Sequence, residues 1–498
     1  MNVAMLLEMA AEGAGDRVAF GPRVGGMTYA ELAAGARRTA SWIGKSDSER
    51  VALVDTNSEA VPLLLFGAAV SGRPFVPVNY RLADEQLRVI LQRTAPAVAV
   101  VEEPVVVRVG HIEGLELVPR KQFLAAVADA SEDEAPVWSG DPEDIAVLLF
   151  TSGTTGEPKA AVLRHRHLVS YIITTVEFLG AGEDECALVS VPPYHVAGIS
   201  AVLSSVYTGR RVVQLEAFSP ENWVELARRE EVTHAMVVPT MLGRILDMVA
   251  ADGMGLPALR HLSYGGGRMP VAVIERALEL LPGVNFVNAY GLTETSSTIA
   301  VLGPDDHREA ISSTDPAVRR RLGSVGRPLP SLEVEIRDAD GVVCSPGEHG
   351  EIHVRGEQVA GEYLGRTSSL IDGWFPTHDG GYLDEGGFLF IEGRLDDVIV
   401  RGGENLSPGE IEEVLITHPA VADVAVVGLP DTEWGEKVAA AVVTVDGSEV
   451  SEAELQAWVR DRLRSSRTPE LVAFRSELPY NETGKLLRRV LKAELGEA

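Results

Sequence analysis

The chain has 498 residues, 45% of them apolar and 23% charged, a balance that supplies more than one globular core and excludes a disordered polymer. A formal net charge of -29 sets its surface against nucleic acid and anionic lipid, so neither is an expected partner. Cys186 and Cys344, the two cysteines, exclude a disulfide scaffold and fit a reducing compartment, so a cytoplasmic location is expected.

The N-terminus carries Glu8 and Glu12 and lacks a basic segment ahead of an apolar one, so no signal peptide is expected there. Val61–Val70 is apolar throughout but far shorter than the ~20 residues of a membrane span. No integral membrane association is expected. Short β-branched runs at Val51–Val54, Val98–Val101, Ile145–Phe150, Ala187–Val191, Ala235–Val238 and Val284–Val287 predict buried strands. Helical patterns such as Trp223–Glu231 and Val271–Leu281 lie between several of them. This alternation predicts an α/β fold with mostly parallel sheets.

After Asp379 the texture changes to hairpin-like pieces, Gly381–Gly387 and then Phe388–Glu392. Arg394–Val400 reads as a connector. Ser407–Thr417 opens with a capping serine, Pro408 and Glu410, a helix start. Val421–Val427 and Val438–Val445 follow as strands, with Glu452–Leu463 and Lys485–Leu495 as helices. The expected division is a large layered α/β unit over 1–395 and a small mobile α+β unit over 396–498.

Five elements carry chemistry. Thr151, Ser152, Gly153, Thr154, Thr155, Gly156 and Lys159 follow a buried strand directly. Hydroxyls, inward main-chain N–H groups and an ammonium suit a polyphosphate, although a plain Ser/Thr/Gly turn has the same composition. Lys159 is followed by Ala160, so the spacing is not the Walker A pattern. In Tyr290-Gly291-Leu292-Thr293-Glu294 a threonine can bond a phosphate oxygen and Glu294 is a hard ligand for Mg²⁺; a solvated glutamate reads the same way. Gly265, Gly266 and Gly267 offer a flat backbone for a planar base or simply a turn. Asp379, expected in a Pro-, Gly- and His-rich loop, and Arg394 suit a sugar's hydroxyls. Lys485 stands beside Gly484 near the chain end, where most lysines are merely solvated.

In this order and spacing the five elements resemble the adenylate-forming superfamily of acyl-CoA synthetases, peptide-synthetase adenylation domains and firefly-type luciferases. The resemblance runs from Val18 to Leu491. It implies an ATP-dependent, AMP-forming acyl-CoA ligase with ATP, Mg²⁺ and coenzyme A as its small molecules. The 151–159 loop would hold the β- and γ-phosphates, Gly265–Gly267 and Tyr290 the adenine, Thr293 the α-phosphate and Glu294 the Mg²⁺. Asp379 would take the ribose with Arg394 beside it. Lys485 would reach the attacking carboxylate and the α-phosphate. Rotation about Asp396 would then bring Gly402 and Gly403 to line a pantetheine channel, with His195 between acyl pocket and thiol.

Three departures from the family pattern stand out: Ala160 and His378 where glycine is usual, and Gly267-Arg268 where a small residue and proline are common. A Cβ at position 160 would shift the phosphate loop, and an imidazole at 378 would crowd the nucleotide. They leave room for an enzyme that only thioesterifies a preformed acyl-adenylate. A stand-alone adenylation enzyme serving a carrier protein, or a catalytically silent nucleotide-binding regulator, are the other readings. The acyl pocket is expected along Tyr194–Gly198, Tyr264–Gly267 and Asn288–Leu292. Val196-Ala197-Gly198-Ile199 favours a hydrophobic acid. A homodimer is left open.

Overall fold

Runs of valine and alanine become strands because both faces of a parallel sheet are covered. All of Ala97–Val101 is buried, for example. The computed structural model describes residues 1–135, 140–151, 158–402, 404–432, 434–445, 447–480 and 486–496. It divides into two compact units: Met1–Leu322 with Pro328–Glu333 and Val354–Phe375, and Gly323–Arg327 with Val334–His353 and Pro376–Ala498.

The first unit holds two sheets. One runs Leu115–Pro119, Ala97–Val101, Arg50–Val54, Phe75–Pro77, Ile145–Thr151, Lys159–Arg164. Its strands are parallel except the last, which turns back against Ile145–Thr151. In the other, Cys186–Val189, His234–Val237, His261–Gly265 and Asn285–Leu292 lie parallel, and Ser297–Leu302 returns antiparallel. Helices Val3–Ala14, Tyr29–Gly44, Ala60–Ser71 and Val196–Thr208 share one apolar cluster with strands of both sheets. The capping box of Thr28 and Glu31 starts the second of these helices. Ala60–Ala69 is buried all round, which explains its unbroken apolar sequence.

In the second unit, strands Val421–Asp431 and Gly435–Thr444 form a long hairpin, and Leu471–Arg475 joins the latter in parallel. Alternate side chains serve opposite faces. Val424 and Val426 pack with Ile411, Leu415, Leu455 and Val459 of helices Pro408–Leu415 and Glu452–Arg460. Ala425 and Val427 pack with Leu491 and Leu495 of helix Arg488–Gly496. Burying both faces explains why these strands read as continuous apolar runs.

Candidate functional site

Three parallel strands of the first unit end together. Tyr264 pairs with Asn288 and Gly265 with Ala289, which sets Gly265 next to the Ala289–Tyr290 step, with Thr293 and Glu294 in the turn beyond that strand. The carboxyl ends of parallel strands are where open α/β sheets take ligands. The last strand runs on to Leu292, further than its apolar run suggests, and Thr293–Thr295 is a single 3₁₀ turn. Gly265 has a packing reason of its own: a Cβ there would fall 2.3 Å from the Ala289 carbonyl oxygen. Tyr264 turns into the core, where its hydroxyl lies 2.8 Å from His307 Nε2.

Thr151 ends its strand and pairs with Lys159, which opens the returning one. Ser152, Gly153, Thr154, Thr155 and Gly156 lie outside the described residues. Ala160 pairs with Phe150 in a regular ladder, so its Cβ sits on a sheet face. The Lys159 ammonium lies 5.6 Å from the ring centroid of Tyr363. The Tyr363 hydroxyl donates to Glu294 Oε1 at 2.5 Å, and Ala360 N–H donates to the Glu294 carbonyl at 2.8 Å. Gln358 Nε2 donates to the carbonyls of Thr295 and Thr298, at 3.0 and 2.8 Å, which fixes the turn after Glu294. Neither Gln358 nor Tyr363 stands out in the sequence.

Among the described residues no cluster of three or more Asp, Glu, His or Cys side chains is placed to hold a metal ion. A single hard carboxylate, Glu294, fits an Mg²⁺ that takes its remaining ligands from nucleotide phosphates and water. It does not suit a metal held by protein alone.

His195 caps helix Val196–Thr208, and its ring lies 4.5 Å from that of Tyr194. Among the described residues its buried Nε2 has no hydrogen-bond partner. Burial pushes its pKa down to about 4, so the ring is neutral near pH 7. The loop before it is held from the other sheet, because buried Asn57 donates from Nδ2 to the carbonyls of Val191 at 3.1 Å and Leu215 at 3.2 Å. Asn57→Ala strips both acceptors of their donor inside the protein. It should lower the unfolding free energy by ~1–3 kcal/mol, seen as an earlier urea midpoint; an unmoved midpoint would contradict the pinning role.

Buried and half-buried histidines also contribute to the acid stability. Burial holds His165 and His195 at about 4 and His167 and His234 at about 3. The unfolded chain protonates each near its ordinary 6.5, so between that pH and about 4 it binds more protons than the folded chain. Stability therefore falls as pH drops, by up to ~1.4 kcal/mol per pH unit for each histidine. Asp55, pushed by burial up to about 6 although Arg120 lies 3.2 Å away, acts in the opposite sense. Asp423, also raised by burial, acts with Asp55, and His261, His307 and His353, also lowered by burial, act with the four, so the histidines outnumber the opposing carboxyls. The melting temperature should be several degrees lower at pH 5 than at pH 7, and a flat profile would contradict this balance.

In the second unit Asp379 is not in a loop. It lies within strand Phe375–Leu383, directly opposite Arg394 of Leu389–Arg394. Arg394 Nε is 3.1 Å from Asp379 Oδ1, and its Nη1 donates to the Thr377 carbonyl at 2.6 Å. Asp379 N–H donates to Thr377 Oγ1 at 3.1 Å. His378 takes a left-handed backbone, φ 57°, and its exposed imidazole turns to Glu351, with Nδ1 3.1 Å from Oε1. Glycine would adopt that backbone freely, which accounts for the usual residue there. Asp396 is exposed on the 3₁₀ turn Leu395–Asp397.

Gly402, at φ 57°, donates its N–H to the Trp434 carbonyl at 2.7 Å, and a Cβ on it would come within 2.9 Å of the Trp434 ring. Trp434 is 45% exposed and lies 5.4 Å from the Arg401 guanidinium, an open aromatic face that the sequence reading missed. Gly403, Gly484 and Lys485 lie outside the described residues. Tyr480 and Leu486, on either side of the last two, pair as a bridge.

A family model described as AMP-binding enzyme matches residues 7–364, and one described as AMP-binding enzyme C-terminal domain matches residues 410–485. The chain belongs to the AMP-binding enzymes. Feruloyl-CoA synthase of an Amycolatopsis species is 34% identical over 481 residues, 94% of each chain. A fatty acid–acyl-carrier-protein ligase of Streptomyces coeruleorubidus is 34% identical over 484 residues, 94% of this chain and 91% of that one. The O-succinylbenzoate coenzyme A synthetase of Bacillus subtilis, solved with ATP and magnesium ion, superposes with a TM-score of 0.84 at 31% identity, covering 98% of this chain and 99% of that one. This AMP-binding enzyme is an AMP-forming acid–CoA ligase that uses ATP and Mg²⁺. No helix among its described residues is long and apolar enough to cross a membrane.

Proposed function

We propose that the enzyme adenylates a hydrophobic carboxylic acid and hands the acyl group to CoA, with residues 396–498 pivoting at Asp396 between the two steps. The observation that carries this reading is the joining of Lys159 and Glu294 through Tyr363: an ammonium and a hard carboxylate share one support at the ends of the parallel strands. That combination suits a nucleotide polyphosphate with a divalent cation. Bound Mg²⁺ would offset phosphate charge there.

We assign the 151–159 segment to the outer phosphates, Gly265–Gly267 and Tyr290 to adenine, and Thr293 to the α-phosphate. Asp379, braced by Arg394, takes the ribose. Lys485 takes the carboxylate and the α-phosphate. Gly402 and Gly403 line the path of the pantetheine arm. Neutral His195 stands between acyl group and thiol, where a cation at the start of a helix would be disfavoured. Buried Gly198 and Ile199 and small Ala197 support a hydrophobic acid. The regular strand pairing of Ala160 and the turn of His378 toward Glu351 weigh against restricting the enzyme to a preformed adenylate. Two cysteines unpaired with each other, one of them buried, support the cytoplasm. Light scattering decides between a monomer and a homodimer.

The test is a panel of aromatic and aliphatic acids with ATP, Mg²⁺ and CoA. Pyrophosphate release and thioester mass are followed together, with a phosphopantetheinylated carrier protein as the second acceptor. Thioester with CoA is the expected product. Pyrophosphate release with transfer only to the carrier overturns CoA as acceptor, and no release with any acid overturns the adenylating reading.

A further inference from the structure

Residues 358–364 touch two parts of the nucleotide end of the site. On one side they extend the edge strand Lys159–Arg164. Val162 N–H donates to the Glu362 carbonyl and Leu364 N–H to the Ala160 carbonyl, both at 2.9 Å, and Ala161 bridges Tyr363. Arg164 grips Glu362 through Nε and Nη2 at 3.0 and 2.8 Å, a bidentate pair that locks the register. On the other side the Ala360 and Gly361 N–H groups reach the Glu294 carbonyl. Tyr363 therefore leaves a doubly anchored backbone. Its hydroxyl donates to Glu294 Oε1, and its ring faces the Lys159 ammonium.

We propose that Tyr363 is a positioning residue for adenylate formation. Its hydroxyl fixes the rotamer of Glu294 and occupies Oε1, leaving Oε2 to a cation, while its ring holds Lys159 over the same spot. One side chain thus sets the distance between the phosphate-seeking ammonium and the cation-seeking carboxylate. This rests on the assignment of Glu294 to Mg²⁺ made above. A carboxylate tethered by a charge-assisted hydrogen bond cannot swing out to solvent, so the site is preorganised before nucleotide arrives.

Tyr363→Phe keeps the ring and removes the hydroxyl. In the presence of a non-hydrolysable ATP analogue it should bind Mn²⁺ about 10-fold more weakly by electron paramagnetic resonance. The Mg²⁺ needed for half-maximal pyrophosphate release should rise by a similar factor, while thioester formation from a supplied acyl-adenylate should hold. Tyr363→Leu, which also removes the aromatic face, should in addition raise the KM for ATP several-fold. Wild-type Mn²⁺ affinity in Tyr363→Phe, or equal loss in both half-reactions, overturns the proposal. The double variant with Glu294→Gln guards against a fold defect: its Mn²⁺ affinity should be no lower than that of Glu294→Gln alone, and additive losses would overturn the coupling. A wild-type enzyme that releases no pyrophosphate while Tyr363→Phe still weakens Mn²⁺ binding would overturn the proposed function and the link to adenylate formation, and would leave standing only the tethering of Glu294 toward a cation.

Discussion

Lys485→Ala is expected to slow adenylate formation on the order of 10²–10³-fold and to leave thioester formation from a supplied acyl-adenylate near the wild-type rate. The reason is electrostatic. In the first half-reaction a carboxylate must approach an anionic α-phosphate, and the repulsion grows as the bond forms. A positioned ammonium meets charge that develops in the transition state and does little for the ground state, so its loss falls on the rate rather than on substrate binding. In the second half-reaction a thiol adds to the acyl carbonyl and AMP leaves; on the proposed pivot residues 396–498 have turned by then, so the ammonium no longer faces the reacting atoms. Chemically made acyl-adenylate separates the steps: pyrophosphate release reports the first and thioester mass the second. Equal losses in both would refute the two-position assignment and make Lys485 a structural residue. The family match to the C-terminal domain extends through residue 485, which places this lysine inside the shared sequence.

What was legible in the sequence follows from range. The strands announced themselves because a parallel strand buried on both faces must be apolar at every position, as in Ala97–Val101. Glu294 and the 151–159 segment stood out because their chemistry is written in neighbouring residues. Tyr363 did not, because its partner is 69 positions away and nothing local marks it. Asn57 was silent for the same reason, its acceptors lying 134 and 158 positions on. Asp379 was expected in a loop because proline, histidine and glycine surround it; pairing with Leu389–Arg394 overrides that local preference and makes it a strand residue. Tyr264 looked like pocket wall, yet its ring is fully buried near the end of strand His261–Gly265 and its hydroxyl finds a partner in the core, at His307. Trp434 had no signal either, since an exposed indole in a turn looks like any other surface residue until Gly402 is seen pressed against it.

Among the described glycines, Gly291→Ala should be the most damaging alanine substitution. Gly291 pairs with Thr298 where the register between the two antiparallel strands shifts. A Cβ at this position would stand 1.5 Å from the Ser297 carbonyl oxygen and 2.8 Å from the Thr298 Cα. Those are backbone atoms of a paired strand, so no rotamer change relieves the overlap and the two strands must part. Overpacking of a well-filled site costs about 1–3 kcal/mol where side chains can yield; a clash with paired main chain should exceed that. The strands that would separate carry Tyr290 on one side and Ser297–Leu302 on the other, with Thr293 and Glu294 in the turn between them. The expected result is little soluble protein, an early melting transition and loss of both half-reactions together, unlike Lys485→Ala. Gly283→Ala is the matched control, since a Cβ there meets nothing within 4 Å and should leave melting and turnover unchanged. If Gly291→Ala melts with the wild type, the close approach of the two strands is wrong, and with it the position given to Glu294.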